Sequence, residues 1–392
     1  MIEIDGSYLE GGGQILRTAT ALSAITGKPC HIFNIRKNRP KPGLMTQHLV
    51  GIKALAQLCN GYLGGAELGS TEIKFYPGKI TAQNLNVKIE TAGSITLVLQ
   101  SLILPSLFSP STGASSEPQP NSSGQAPRPI KIIFDGGATD TFFSPTIDYF
   151  RYVFLKILRG IGGKVEVDIS KRGYYPSGGA NVEVKIFPAI SNINSLYQGD
   201  RPDKTNQLSP LNLIKRDKLQ KILAISGASE NLKNKKVAER QIAGVREILG
   251  KLKLPTEEKI EYYQTQSPGS QICLIAEFSG QGGENATIIG TDNLGRFGKP
   301  AEEVGREVAL ELLKEQKSEA CFDKHLADQI LPYMALAPYQ SEAFGSGLAE
   351  GKSQITVSEI TKHCKTNIWV IEKFLDGKFE INGNLIIWIP KD

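Results

Sequence analysis

Histidine is scarce in this 392-residue chain, and no two of His31, His48, His325 and His363 stand at the i, i+4 spacing that lets a helix grip a metal ion. A metal here needs carboxylates. His363 opens the segment His363-Cys364-Lys365-Thr366-Asn367, just ahead of an amphipathic stretch that reads as a helix from Asn367 to Leu375. A helix N-terminus stabilises a phosphate, so an imidazole beside one is a candidate nucleophile toward a phosphoryl centre. The plain alternative is an ordinary surface histidine, and His31, inside a strand pattern, reads as structural. Near the N-terminus, Leu9-Glu10-Gly11-Gly12-Gly13-Gln14 joins a strand to a helix, where bare backbone lets N–H groups face an anion. It is either a phosphate site or a tight turn. Neither GxGxxG nor GxxxxGK[ST] occurs, so neither a dinucleotide-binding fold nor a P-loop is supported.

Three cations, Arg36, Arg39 and Lys41, precede Pro42-Gly43 and a helix from Leu44, which already favours negative charge. A polyanion or solvent suits that cluster. Gln47 and His48 fall on the first turn of the same helix; His48 reads equally well as a phosphate contact or a packing residue. Asp328-Gln329 lie in an amphipathic helix with His325 one turn earlier, so both ends of the pair face one cleft. Asp328 is a candidate for orienting a histidine or binding a cation, against the alternative of an exposed helix carboxylate. In Arg172-Gly173-Tyr174-Tyr175-Pro176-Ser177-Gly178-Gly179, the tyrosines either stack on bases or merely decorate a turn.

The elements that must position these residues follow from periodicity. A strand at Ile2–Ile4, a helix at Gln14–Ile25, a strand at His31–Ile35, a helix at Leu44–Leu58 and short strands around Tyr62 and Ile73 make a βαβαββ unit. Met45, Leu49, Ile52 and Ala56 are expected on one face of its second helix. The order recurs with strand Val87–Ile89, helix Ile95–Leu107, strand Ile130–Phe134, helix Ile147–Leu158 and strands Val165–Ile169 and Asn181–Ile186, which suggests an internal repeat. Between the units, thirteen of the twenty-one residues Ser109–Pro129 are Ser, Pro or Gly, the composition of a disordered loop. After the polar stretch Ser191–Pro210, a further unit reads as strand Ile214–Ile225, helix Val237–Leu249, strands near Ile260 and at Ile272–Phe278 and Thr287–Gly290, and a helix opening at Pro300 with Ala301, Val304, Val308 and Leu312 on one face. Helix His325–Ala337, strand Ile355–Val357, the helix at Asn367 and strands Phe379–Ile381 and Leu385–Ile389 read as the back end of a third βαβαββ unit.

Hydrophobic residues (40%) suffice for these cores, and charged residues (22%) interrupt every apolar run before it reaches membrane-spanning length. The first residues carry Glu3 and Asp5 and no apolar run, unlike a targeting peptide, so a cytoplasmic address is expected. Five cysteines without a CxxC pair read as reduced thiols. The excess of 45 Lys plus Arg over 40 Asp plus Glu permits an anionic partner.

In this order, the segments EGGGQILR (Glu10–Arg17), IRKNRPKPGLMTQHL (Ile35–Leu49), TAGSITLVLQSLIL (Thr91–Leu104), RGYYPSGG (Arg172–Gly179), HLADQ (His325–Gln329) and HCKTNI (His363–Ile368) resemble the RNA 3'-terminal phosphate cyclase family over nearly the whole chain. The resemblance implies an α/β (α+β) fold: a large domain of three βαβαββ repeats, like the C-terminal domain of initiation factor three, with a smaller thioredoxin-like α/β domain inserted. The domains are expected at 1–187, 188–320 and 321–392. It implies ATP as cosubstrate, Mg²⁺ or Mn²⁺, and an RNA 3'-phosphate as partner, with no membrane role. By resemblance, His363 is the adenylylated residue, Glu10 holds the divalent ion, and Arg17, Arg36, Arg39, Gln47 and Asp328 line the active site. Gln100, Pro145, His325 and Gln329 match nucleotide contacts, although His325 stands where the family often has Tyr, and Ala180 where it often has a third glycine. The KxDG lysine motif of ordinary nucleotidyl-transferring ligases is absent. The competing readings are a non-catalytic, RNA-binding ribosome-assembly relative, which lacks the histidine, and an enolpyruvyl transferase, whose signature segments are missing.

Overall fold

The computed structural model describes residues 1–81, 84–109, 128–189, 208–252, 255–279, 287–337 and 352–391. Most of the two polar stretches, Ser109–Pro129 and Ser191–Pro210, lies outside these residues. The chain is a mixed α/β protein; among the described residues, helices pack on four small sheets of four strands each.

Its first sheet holds β1 (Ile2–Asp5), β2 (Cys30–Phe33), β3 (Tyr62–Gly64) and β4 (Ile73–Tyr76) in the order β1-β2-β4-β3. Only β1 and β2 run parallel. Helices α1 (Gly13–Thr26) and α2 (Thr46–Leu58) make the crossovers. α1 starts at the glycine triplet and stops at Gly27, whose φ of 69° is the left-handed C-cap that glycine supplies without a steric penalty. The second sheet, β5 (Leu85–Ser94), β6 (Ile130–Ala138), β7 (Lys164–Lys171) and β8 (Asn181–Phe187), repeats that order and sense as β5-β6-β8-β7. Its helices are α3 (Ile95–Leu107) and a segment of α4 (Ile147–Tyr149), a π-helical turn at Phe150–Phe154 and α5 (Leu155–Gly160). One continuous helix is expected from the sequence here; the observed turn is wider, with Phe150, Val153 and Phe154 all buried.

β9 (Asn212–Leu213) and β10 (Leu219–Ser229) replace the single strand expected at Ile214–Ile225. The break falls at Ile214, which is exposed, and the charged run Lys215-Arg216-Asp217-Lys218, none of which can line a core. β10 joins β11 (Thr256–Tyr263), β12 (Ser270–Phe278) and β13 (Ile288–Leu294) in the order β11-β10-β12-β13, covered by α6 (Val237–Leu249) and α7 (Ala301–Lys317). β9 instead pairs in parallel with β14 (Ser353–Thr356), Asn212 opposite Gln354. With β15 (Gly377–Asn382) and β16 (Leu385–Pro390), they form the order β9-β14-β16-β15, the same as in the first two sheets. Its helices are α8 (Lys324–Leu336) and α9 (Lys362–Phe374).

Two helix starts differ from the periodicity and both matter to the site. α2 begins at Thr46, so Met45 is its exposed N-cap rather than part of the buried face that Ile52 and Ala56 occupy. α9 begins at Lys362, five residues ahead of expectation, because Thr361 Oγ1 accepts the Cys364 N–H at 3.1 Å. His363 therefore stands inside the first turn, not ahead of it. All five cysteines are buried and free, and among the described residues no helix is long and apolar enough to cross a membrane.

Candidate active site

The site forms where α1 and α9 pack together with the start of α2 beside them. Three glycines make the approach close. A Cβ on Gly13 would sit 2.1 Å from His48 Nε2, and one on Gly12 would sit 3.2 Å from Arg39 Nη2 and 3.8 Å from His363 Cε1. Gly11 has φ +56°, where side chains are strained. The run is thus both a turn and the means of bringing Glu10 up to His363.

His363 Nε2 lies 2.8 Å from Glu10 Oε2, which Arg39 Nη2 also approaches at 3.3 Å. On the opposite edge of the imidazole, Nδ1 is hydrogen-bonded to Gln14 Oε1. Gln14 Nε2 in turn donates to Asp328 Oδ2 at 3.3 Å. With Gln14 Nε2 on Asp328, the amide oxygen is the atom turned toward the imidazole. That oxygen calls for a proton on Nδ1, while Nε2 faces the Glu10 carboxylate, which also accepts; the Nε2 lone pair becomes available for chemistry once Glu10 gives up this contact. Asn367, one turn along α9 from His363, ties this row down: Nδ2 donates to the Asp328 carbonyl at 2.6 Å while Oδ1 accepts from Thr18 at 2.7 Å.

Burial sets the charge states. It lifts the Asp328 carboxyl to about 7, with His325 and Arg17 pulling the other way. Arg17 is brought down to about 10 by burial, opposed by Asp328, and its Nε is buried without a partner. Burial holds His363 below the ordinary histidine value; Glu10 opposes this, and Arg17, Arg39 and His325 reinforce it. His48 is pushed down to about 3 by burial and by Arg17 and Arg36, so it stays neutral. Its Nδ1 accepts the Met45 N–H at 3.2 Å, a helix-capping contact that agrees with the packing reading.

The other expected residues surround this row. Gln100 Nε2 donates to Gln329 Oε1 at 3.1 Å, and Gln329 Nε2 to the His325 carbonyl at 2.7 Å, so these three form one wall. Pro145 and Gln47 both meet the start of α3: the Pro145 carbonyl accepts from Thr96 at 2.9 Å and Gln47 Oε1 accepts the Ser94 N–H at 3.1 Å. Arg36 is turned onto its own loop, donating to the carbonyls of Lys41 (2.6 Å) and Gly43 (3.0 Å), and directs no hydrogen bond into the site. Tyr174, a candidate for stacking on bases, is buried with its hydroxyl on Gln271, so it offers no free ring face; Tyr175 is exposed. His31, bracketed by Glu3 and Glu72 at 2.7 Å each, lies away from the site as expected.

Gln14 and Asn367 are two members of this hydrogen-bonded row that the sequence did not single out. Each carries a signal: an amide buried in the otherwise apolar start of α1, and an Asn four residues after His363 on one helix face. No cluster of three His, Cys, Asp or Glu side chains occurs among the described residues.

Comparison with known proteins gives a consistent answer. A family model for RNA 3'-terminal phosphate cyclase matches residues 8–381. A Pyrococcus furiosus protein named RNA 3'-terminal phosphate cyclase is 42% identical over 385 residues, 98% of this chain and 96% of its own. Proteins of the same name from Thermococcus kodakarensis and Archaeoglobus fulgidus are 41% and 39% identical, covering 98% and 99% of this chain and 95% and 99% of theirs.

Proposed function

Because this chain belongs to the RNA 3'-terminal phosphate cyclase family, we propose that it uses ATP to convert an RNA 3'-terminal phosphate into a 2',3'-cyclic phosphodiester, through a covalent histidine-AMP and an RNA adenylate. The observation that carries this reading is the row Glu10, His363, Gln14, Asp328, which orients the imidazole with Nδ1 held by Gln14 and Nε2 turned to Glu10. A 3'-phosphomonoester is a poor electrophile with an oxide as leaving group. Activation by AMP splits the difficult step.

First, the Nε2 lone pair of His363 attacks the α-phosphorus of ATP; the P–N bond forms and the bond to the β-phosphate oxygen breaks, releasing pyrophosphate. The proton stays on Nδ1, hydrogen-bonded to Gln14 Oε1, so the adenylylated ring carries one positive charge. An oxygen of the RNA 3'-phosphate then attacks the same phosphorus and expels the histidine. Finally the neighbouring 2'-OH attacks the activated 3'-phosphorus, losing its proton and displacing AMP. Arg17 and Arg39 would neutralise phosphate charge in a site half shielded from water. Arg36 would do so only by leaving its present carbonyl partners.

Mg²⁺ or Mn²⁺ fits a hard carboxylate oxygen, and Glu10 would hold it together with triphosphate oxygens, as such ions are usually held by one or two carboxylates plus substrate phosphates. The ion would supply further charge neutralisation on the triphosphate. The adenine would lie between Pro145 and the wall of Gln100, Gln329 and His325. We read the three sheets of common strand order as βαβαββ repeats of one large domain, and β10–α7 as the inserted, thioredoxin-like domain. The protein would work in the cytoplasm. The non-catalytic relative is not favoured, because this chain keeps His363, Glu10 and Arg39 in contact.

Incubation with Mg²⁺, [α-³²P]ATP and a 3'-phosphorylated oligoribonucleotide tests the reading. Acid-labile label on the wild-type protein but not on folded His363→Ala, with phosphatase-resistant RNA ends, is expected. Absence of label on folded wild type would overturn it.

A further inference from the structure

Three loops beside the cleft carry aromatic rings that the folded chain leaves almost wholly in water. Phe143 and Phe297 are 103% and 109% exposed, and Tyr175 61%. Phe143 is also held at φ +65°, a left-handed conformation that is unusual for a bulky side chain. Two costs thus fall on one residue, strain and apolar exposure, with no packing to offset either; this combination marks sites whose partner is a ligand.

The rings belong to one surface. Phe142, next to Phe143, lies 5.3 Å beneath the Arg296 guanidinium, next to Phe297. The same Phe142 ring stands 6.4 Å edge-on from Tyr175. The first two loops are pinned together by the Thr146 N–H, which donates to Asp292 Oδ2 at 2.6 Å. The surface adjoins the start of α3: Pro145 follows Phe143 by two residues, and its carbonyl accepts from Thr96 at 2.9 Å on the helix that carries Gln100.

We infer that Phe143, Phe297 and Tyr175, with Arg296, form a stacking platform for the nucleobases of single-stranded RNA just upstream of the 3'-terminal phosphate. The proposal rests on the cyclase reading and extends it outward from the reacting end. Exposed aromatic rings interleaved with a cation suit unpaired bases, because every base has a face to stack and phosphates run alongside.

The test compares 3'-phosphorylated oligoribonucleotides of two and of eight nucleotides on wild type, Phe143→Ala/Phe297→Ala and Phe143→Tyr/Phe297→Tyr. Label from [α-³²P]ATP without RNA is measured alongside. The alanine pair should raise KM for the eight-mer at least about tenfold, the value of one lost stacking contact. It should leave the dimer's KM and the RNA-independent label unchanged, while the tyrosine pair restores the eight-mer. Loss of that label in the alanine pair would overturn the platform, because the loops would then belong to the nucleotide pocket. An unchanged eight-mer KM, or a change of oligomeric state instead, would overturn it too, the latter by making the rings a protein interface. No label on wild type would sink the cyclase reading itself, a distinguishable failure.

Discussion

Two buried side chains of the site pull stability in opposite directions with pH. Asp328, lifted from 3.8 to about 7, keeps a proton in the folded protein over a range where the unfolded chain has lost it. The folded state binds the extra proton, so stability falls as pH rises from about 4 to about 7. Asp328→Asn should flatten that decline, seen as denaturant midpoints at pH 5 and pH 8 that lie closer together than in wild type. His48, depressed from 6.5 to about 3, acts oppositely: the unfolded chain protonates first, so stability falls as pH drops through about 6.5 toward 3. His48→Gln should remove that acid loss, and an acid limb identical to wild type would show that His48 is not buried neutral. The nucleophile candidate, the glycine run and the carboxylate near His325 were legible as candidates, one for the scarcity of histidine and two for their place beside a helix start or a histidine, and the six collinear segments selected among their readings. Gln14 was not, since the feature that defines it, an amide strung between Asp328 and His363, exists only once α1, α8 and α9 converge.

Elements hold the site through caps more than through propensity. Asp323 accepts the N–H groups of His325 and Leu326 at the start of α8, the Tyr149 hydroxyl from α4 and the Gly290 N–H from β13. Arg172 plays the matching part at the end of β7: it is 4% exposed and reaches Asp140 at 3.2 Å and Asp148 at 2.6 Å. Removing one partner from a buried ion group leaves charges without compensation. Arg172→Ala should therefore cost about 3–5 kcal/mol, read as a lower denaturant midpoint, far more than loss of an exposed pair. A cost under about 1 kcal/mol would mean the carboxylates are protonated or solvated; Asp140, pushed up to about 6 by burial, would take the first proton. Element types were legible wherever apolar periodicity was sustained, as in α7 with Ala301, Val304, Val308 and Leu312 buried along one face. The starts of α2 and α9 were misplaced because caps at Met45 and Thr361 are set by local hydrogen bonds that leave no apolar period. The two-residue β9 was missed because its pairing is supplied by β14, more than a hundred residues away in the chain.

At the scale of the molecule, the sheet β11-β10-β12-β13 decides whether the chain behaves as one body. Its strands alternate between two cores. Ile222 and Ala224, Ile272 and Leu274, and Ile289 pack beneath α6 and α7, whereas Leu223 and Ile225, Cys273 and Ile275, and Ile288 belong to the large core that runs through the other sheets. A sheet buried on both faces cannot melt from one side alone without exposing the other, and Asp323 and Asp292 add polar ties across the same boundary. The stretch between β9 and α8 reads from its sequence as an independent domain, and nothing in its own pattern reveals that its second face is apolar toward a neighbour rather than toward helices of its own. The two tryptophans, Trp369 and Trp388, both lie outside it, so fluorescence reports the rest of the chain while far-UV ellipticity includes α6 and α7. Denaturant unfolding followed by both signals should superimpose in a single transition. Loss of ellipticity ahead of the tryptophan shift would show that β10–α7 unfolds alone, and that the shared core contributes less to stability than the alternation of these strands requires.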